Sequence, residues 1–181
     1  ICKTAGVSLG TFYIYFNDKR DIAREVLSDF AQALWQGLGP AEPAAVEGEF
    51  ARIFAANLHY VVVFRQNPGL MRCLIQIDDR FEDFADIWRD TNEAWTGRFV
   101  GRAKSAGRVR ASEASLRFVG ITLGGMADQL LYSRFVRRDP NACDAYPNDR
   151  SLAQALSVLW YRALYAADPP KAGAHVPKLT E

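Results

Sequence analysis

The amino-acid sequence predicts an all-α protein, and three observations predict it. Apolar residues recur at three- and four-residue intervals through long stretches, the spacing of one helix face. Glycine, proline and small capping residues fall mostly between those stretches. No segment alternates apolar and polar residues over the length of a half-buried strand. Internal repeats and low-complexity segments are also missing from the sequence.

The opening run, ICKTAGVSLGTFYIYFNDKRDI, has the layout of the back half of a helix-turn-helix. Ile1 to Ala5 reads as the tail of a first helix. Gly6 suits the left-handed backbone of a sharp turn, with Val7 tucked under it. Ser8 is a good N-cap for a second helix running to about Phe16. Asn17 and Asp18 break that helix, and Asp18 with Asp21 is placed to cap a third. Its stripe of Ile22, Val26, Leu27, Phe30, Leu34 and Trp35 predicts a helix from Lys19 to about Gln36. Gly37, Gly39, Pro40 and Pro43 then form a linker, and the domain boundary is expected there.

The rest of the chain reads as five helices. The first runs from about Ala44 to Gln66, with Val46, Phe50, Ile53, Phe54, Leu58, Val61 and Val62 on a broad side; Asn67-Pro68-Gly69 stops it. Leu70 to Asp78 is shorter, and Asp79 and Arg80 break it. Phe81 to Ser105 carries Phe84, Trp88, Trp95 and Phe99 on one face, and Ala106-Gly107 resembles a C-cap. Ser112 caps a helix over about Glu113 to Arg137 that is apolar on more than one side. Gly120, Gly124 and Gly125 lie inside it, each costing ~1 kcal/mol against Ala unless close packing or a ligand offsets the loss. Residues 139–148 read as a loop, and Asp149 to Ala167 as a last helix ended by Pro169-Pro170. Residues 171–181 look like a frayed tail.

The second helix has two faces. Phe12 and Phe16 are spaced to anchor it in a core. Ser8, Leu9, Thr11, Tyr13, Ile14 and Tyr15 fall on the other side or its edges. Small hydroxyls can meet base edges and tyrosine hydroxyls can reach phosphate oxygens. Lys19 opens the next helix, where a cation and free N–H groups can together hold a phosphate. A plain helical hairpin would account for the capping and the spacing; two tyrosines and a threonine on the outer side are less expected from packing alone.

The run AGVSLGTFYIYFNDKRDI resembles the DNA-binding signature of the TetR (tetracycline-repressor) family of bacterial transcription regulators. The likeness rests on Ala5, Gly6, Val7, Ser8, Gly10, Thr11, Tyr13, Tyr15, Phe16, Lys19 and Ile22, and over the remainder only on helical layout. Leu9 and Ile14 depart from it, where the family often has Lys or Arg and His; both bear on which bases are read.

The resemblance implies an N-terminally incomplete helix-turn-helix with its connecting helix (1–38), a ligand-binding and dimerisation domain (44–168) and a flexible tail (169–181). It implies operator contacts from Ser8, Leu9, Gly10, Thr11, Tyr13, Ile14, Tyr15 and Lys19 on double-stranded DNA. A helix ahead of Ile1 is expected too, roughly two dozen residues or more upstream, since a helix averages ~11 residues. Helices 113–137 and 149–167 are expected to build a homodimer, which also suits a short reading helix that gains from a two-fold copy. A small-molecule effector, apolar or amphipathic, is expected among Phe54, Asn57, Leu58, Val61, Trp88, Asn92, Trp95, Met126 and Gln129. Asn57, Asn92 and Gln129 stand out as amides on or beside apolar faces, where each needs a partner. The bland reading of each is an ordinary core residue. The function so implied is a ligand-responsive regulator, a repressor released from its operator by the effector.

Bulk composition bounds the alternatives. A chain of 181 residues, 49% hydrophobic and 24% charged, has ample material for a core. A net charge of +1 gives no general field for nucleic acid, so affinity must come from placed contacts and dimerisation. Cys2, Cys73 and Cys143 have no metal spacing, and reduced thiols in a cytoplasm are the simplest account. No apolar run approaches the ~20 residues of a membrane span, and no signal sequence is visible. His59 and His175 show no metal-ligand spacing. The acids Asp78, Asp79, Glu82, Asp83 and Asp86 straddle a helix start, where they favour the dipole rather than form a catalytic pair. No catalytic residue, metal or cofactor is therefore assigned. The competing classes are a helical small-molecule enzyme, for which no phosphate loop or triad is present, and a protein-interaction module keeping the helix-turn-helix as scaffold.

Overall fold

The computed structural model describes residues 1–36, 48–76, 82–105, 107, 111–144 and 146–165. Among them every regular element is helical. The expected linker at 37–43, the breaks at 77–81 and at Ala106, the Pro169-Pro170 stop and the tail with His175 lie outside the described residues, as do the side chains of Trp35, Glu82, Asp83 and Cys143.

The helices are α1 (Cys2–Ala5), α2 (Leu9–Tyr15), α3 (Lys19–Gln36), α4 (Glu49–Gln66), α5 (Pro68–Gln76), α6 (Glu82–Ser105), α7 (Glu113–Leu131), α8 (Pro140–Asp144) and α9 (Asp149–Tyr165). Several boundaries differ from the sequence reading. Gly48, at φ 94°, precedes α4, which runs from Glu49; the expected start at Ala44 lies outside the described residues. Asn67 alone interrupts the chain, and Pro68 opens α5 instead of ending α4. Proline's fixed φ and missing N–H suit a first helical position. The helix expected to reach Arg137 stays α-helical only to Leu131, then widens into a π-turn over Tyr132–Val136, with Arg137 N–H donating to Tyr132 O at 3.0 Å. Arg138 then takes a left-handed φ of 54°. The expected 139–148 loop contains α8, because the Asp139 carboxylate caps it by accepting from Asn141 N–H at 2.9 Å.

The core forms around an antiparallel α4–α9 pair. Its ends and middle are marked by Tyr165 to Glu49 (3.4 Å), Asn57 to Ser157 (3.2 Å) and Arg65 to Asp149 (2.8 Å). Between them Val61, Phe64, Met71, Leu131, Leu152 and Leu156 are sealed from solvent and packed together. Helix α3 docks on this body by its apolar stripe: Leu27 and Ala31 meet Leu74, Phe84 and Ile87, while Leu34 enters the main core. Val26, predicted to share that stripe, is 46% exposed; it lies toward the outer side of the helix. A third cluster, Val100, Ala103 and Leu116, closes the far end of the α6–α7 hairpin. No helix among the described residues is long and apolar enough to cross a membrane.

Candidate nucleic-acid interface

The turn ahead of α2 forms as its residues dictate. Gly6 has φ 69° and ψ 24°, a left-handed conformation that closes α1, and Val7 N–H donates to Cys2 O at 3.1 Å. Val7 itself is 42% exposed rather than tucked under the turn, because α1 contributes no buried residue to cover it. Ser8 is extended, and its Oγ accepts from Thr11 N–H at 3.0 Å while lying 2.8 Å from Thr11 Oγ1. A Cβ on Gly10 would come within 3.6 Å of that serine hydroxyl, an ordinary contact.

The two faces of α2 separate. Phe12 is buried and packs edge-on against Tyr13 and tilted against Phe16, which is half-buried. Leu9, Tyr13, Ile14 and Tyr15 are 63%, 60%, 77% and 75% exposed. Ser8 and Gly10 are exposed and Thr11 half-buried beside them. One short helix thus holds two phenol hydroxyls, two aliphatic side chains and a threonine on its outer surface. An isolated globular surface has little reason to carry so dense an apolar group.

Asp18 caps α3 by accepting from Asp21 N–H (2.9 Å) and Arg20 N–H (2.6 Å). These backbone donors, Asp21's first, hold its carboxyl below the ordinary range. Asp21 in return accepts from the backbone and side-chain amides of Asn17, both at 3.0 Å, so the expected acidic cap is formed. Lys19 is exposed at the first position of α3, next to the outer end of α2.

Behind this head, Arg24 on α3 makes a two-pronged bond to Asp86 on α6, at 3.0 and 2.5 Å. The Arg24 guanidinium beside it holds the Asp86 carboxyl below its ordinary value. The pair borders an open cleft of about 620 Å³ between Asn17, Asp18, Arg20, Asp21 and Phe84. In the sequence Asp86 belongs to an acidic helix start, and nothing local pairs it with Arg24, 62 residues earlier.

The expected effector residues divide. Phe54, Leu58, Val61, Trp88 and Trp95 meet in or against the main core, with Val61 fully buried. Asn57 sits at that core's edge and donates to Ile53 O (3.0 Å) and Ser157 Oγ (3.2 Å), joining α4 to α9. Asn92 is half-buried on α6. Met126 and Gln129 are not brought to this group: both are exposed on the outer side of α7, Met126 at 39%, and Gln129 donates to Ser133 Oγ at 3.3 Å. They share that side with Phe118 and Ile121, at 70% and 62% exposure. His59 is half-buried, its Nε2 3.3 Å from Leu34 O on α3.

Two residues that no local pattern pairs meet at the edge of the main core. Tyr60 on α4 donates its hydroxyl to Asp128 on α7 at 2.5 Å. Burial, opposed by that hydrogen bond, raises the Asp128 carboxyl to about 6. Burial first and then the Asp128 charge push the Tyr60 phenol well above its ordinary value. An acid on an otherwise apolar helix was the available signal.

Comparison of the chain with protein-family models, curated proteins and solved structures finds no match.

Proposed function

We propose that the chain is a ligand-responsive, DNA-binding transcription regulator of the TetR kind, a repressor that acts as a homodimer. The observation that carries the reading is the outer face of α2: a serine-capped helix after a left-handed glycine turn, pinned by Phe12, with Leu9, Tyr13, Ile14 and Tyr15 facing solvent. Such a helix fits a major groove, where Thr11 can meet base edges and the tyrosines and Lys19 can meet phosphates. The apolar outer side of α7, with Phe118, Ile121 and Met126, supports a two-fold partner that would set two heads ~34–36 Å apart on successive half-sites. The effector half of the reading rests on the resemblance, with Phe54, Leu58, Trp88 and Trp95, packed against the main core, as candidate walls.

The test is selection of bound duplexes from a random library by the full-length protein, then mobility shift of the selected duplex. Binding should weaken steeply as salt rises. Thr11→Ala and Tyr13→Ala should each abolish selective binding while the oligomeric state stays unchanged. If no duplex is enriched, or if both variants bind as well as the parent, α2 is not a reading helix.

A further inference from the structure

The three glycines inside α7 do not share one explanation. Gly120 and Gly124 have the Phe99 and Trp95 rings of α6 beside them. Gly125 faces solvent, and no atom of the described residues lies within 4 Å of the place its Cβ would take. Glycine is unfavourable in a helix interior, and nothing among the described residues offsets that here. Close approach of a second backbone would offset it.

Gly125 lies within one continuous exposed face. Phe118, Ile121, Thr122, Gly125, Met126 and Gln129 follow the spacing of a single helix side, and all are exposed. None of them is charged. Exposed charges stand at the two ends instead, Glu113 before the face and Arg137 and Arg138 after it. Beside the C-terminal half, an apolar hollow of about 90 Å³ opens between Leu130 on α7, Tyr146, and Leu152, Ala155, Leu156 and Leu159 on α9. At ~10–15 Å³ for each water-sized group, this is room for about six to nine atoms, the size of a phenyl ring. The most exposed aromatic of α7, Phe118, cannot fill the hollow of its own chain, because Leu130 lies ~18 Å further along the helix.

We propose that a second copy of this chain packs antiparallel on α7, with the two-fold axis beside Gly125 and the Phe118 ring of each protomer seated in the hollow of the other. Phe118 precedes Gly125 by ~10 Å and Leu130 follows it by ~8 Å, at ~1.5 Å per residue. An axis beside Gly125 therefore brings ring and hollow to about one level, twice over. Residues near such an axis meet their own images, which an uncharged centre allows. The ends set the orientation: a parallel copy would put Arg137 and Arg138 against themselves, whereas an antiparallel one turns them toward the other copy's Glu113. This deepens the homodimer half of the proposed function and rests on that reading; it assigns the seam to a ring and a socket in a fixed register.

Sedimentation of the full-length protein and its variants, giving the dimer dissociation constant, is the test. Phe118→Ala and Ala155→Leu, which empties and fills the socket respectively, should each weaken the dimer about tenfold or more. Because both act on one contact, the double variant should be no weaker than Phe118→Ala alone, to within about threefold. Gly125→Leu should weaken the dimer to a similar degree without lowering the urea midpoint of the dilute monomer, since leucine favours a helix more than glycine does. A dimer indifferent to Gly125→Leu, a loss of monomer stability that accounts for its effect, or fully additive losses at Phe118 and Ala155 would each overturn the assignment. The two readings fail differently. A parent that is monomeric at micromolar concentration sinks the homodimer and the socket together, leaving the face to a different protein. A stable parent dimer with additive losses sinks the socket alone.

Discussion

Gly120 and Gly124 lie one turn apart on α7 and face the same α6 aromatics, yet alanine should act on them with opposite sign. Removing a glycine from a helix interior is worth about 0.8–1.0 kcal/mol at either position. At Gly124 the added methyl meets the Trp95 ring at 3.5 and 3.7 Å, ordinary contact, so that gain is kept. At Gly120 it meets Phe99 Cδ1 at 2.9 Å and Cε1 at 3.2 Å, and one of them must move. The Phe99 ring cannot swing freely: it is stacked on Trp95 (5.7 Å between centroids, 9° between planes) and edge-on to Trp160 (5.2 Å). Forcing a methyl into a packed core costs about 1–3 kcal/mol, which cancels or exceeds the helix gain. Gly124→Ala should therefore be more stable than the parent, and Gly120→Ala equal to it or less stable by up to ~2 kcal/mol. The separation of ~1–3 kcal/mol corresponds to roughly 2–12 °C in Tm for a chain of this size. Thermal and urea unfolding of the three proteins give the ordering. Phe99→Leu in the Gly120→Ala background should recover part of the loss as a coupled effect. If Gly120→Ala melts at or above Gly124→Ala, the α6–α7 packing described here is wrong.

Three further outcomes follow from other parts of the molecule. Phe118→Asp with Ile121→Asp, both on the exposed side of α7, should turn a dimer into a folded monomer in sedimentation; a parent that is monomeric at micromolar concentration, or a variant that stays dimeric, refutes the interface. Asp18, Asp86, Glu93 and Glu113 all have carboxyls held below the ordinary range, so the stability they confer is complete above about pH 4–5 and is lost as pH falls through their lower folded values; the unfolding midpoint should drop there, and less steeply in Asp18→Asn. Asp128 has the opposite sign: raised from 3.8 to about 6, it takes up its proton in the folded state first, so this residue should add stability as pH falls from about 7 to 4, by up to ~3 kcal/mol. Asp128→Asn should flatten that limb, and a parent whose midpoint is level over the window would mean the carboxyl is solvated.

What was legible in the sequence was local. The left-handed Gly6, the Ser8 cap, the paired Asp18 and Asp21 and the inward Phe12 all depend on neighbours within one turn, and each is found as read. The α7 cap at Ser112 follows the same rule, its Oγ accepting from Ser115 N–H at 3.1 Å. Pro68 was misjudged because proline both ends and begins helices, and only the preceding residue's conformation decides which. The π-turn at Tyr132–Val136 has no simple residue signature. At the candidate sites the limits were distances along the chain. Arg24 and Asp86, or Tyr60 and Asp128, meet only once α3, α4, α6 and α7 have packed. Helical spacing placed Met126 and Gln129 on apolar α7 but could not tell its inner face from its outer one, since both are apolar.

The same packing bears on how an interior event could reach α2. Helix α3 is tied to the body at three heights: Arg24 to Asp86 near its start, Leu27 and Ala31 against Leu74, Phe84 and Ile87 in its middle, and Leu34 in the main core beside His59. The exposed ion pair contributes direction more than energy. The apolar seam carries the energy. Burying leucines such as Leu27 and Leu34, at ~1.5–3 kcal/mol each, gives ~3–6 kcal/mol. Moving a two-state equilibrium from 1:99 to 99:1 takes ~5.5 kcal/mol of differential binding. Peeling α3 off the body therefore costs about as much as the whole switch, and tilting it together with α6 costs far less. Since α2 follows α3 through a capped three-residue break, a shift of α6 beside Trp88 and Trp95 would be passed to the outer face of α2 as rotation of the head rather than absorbed by slippage at the seam.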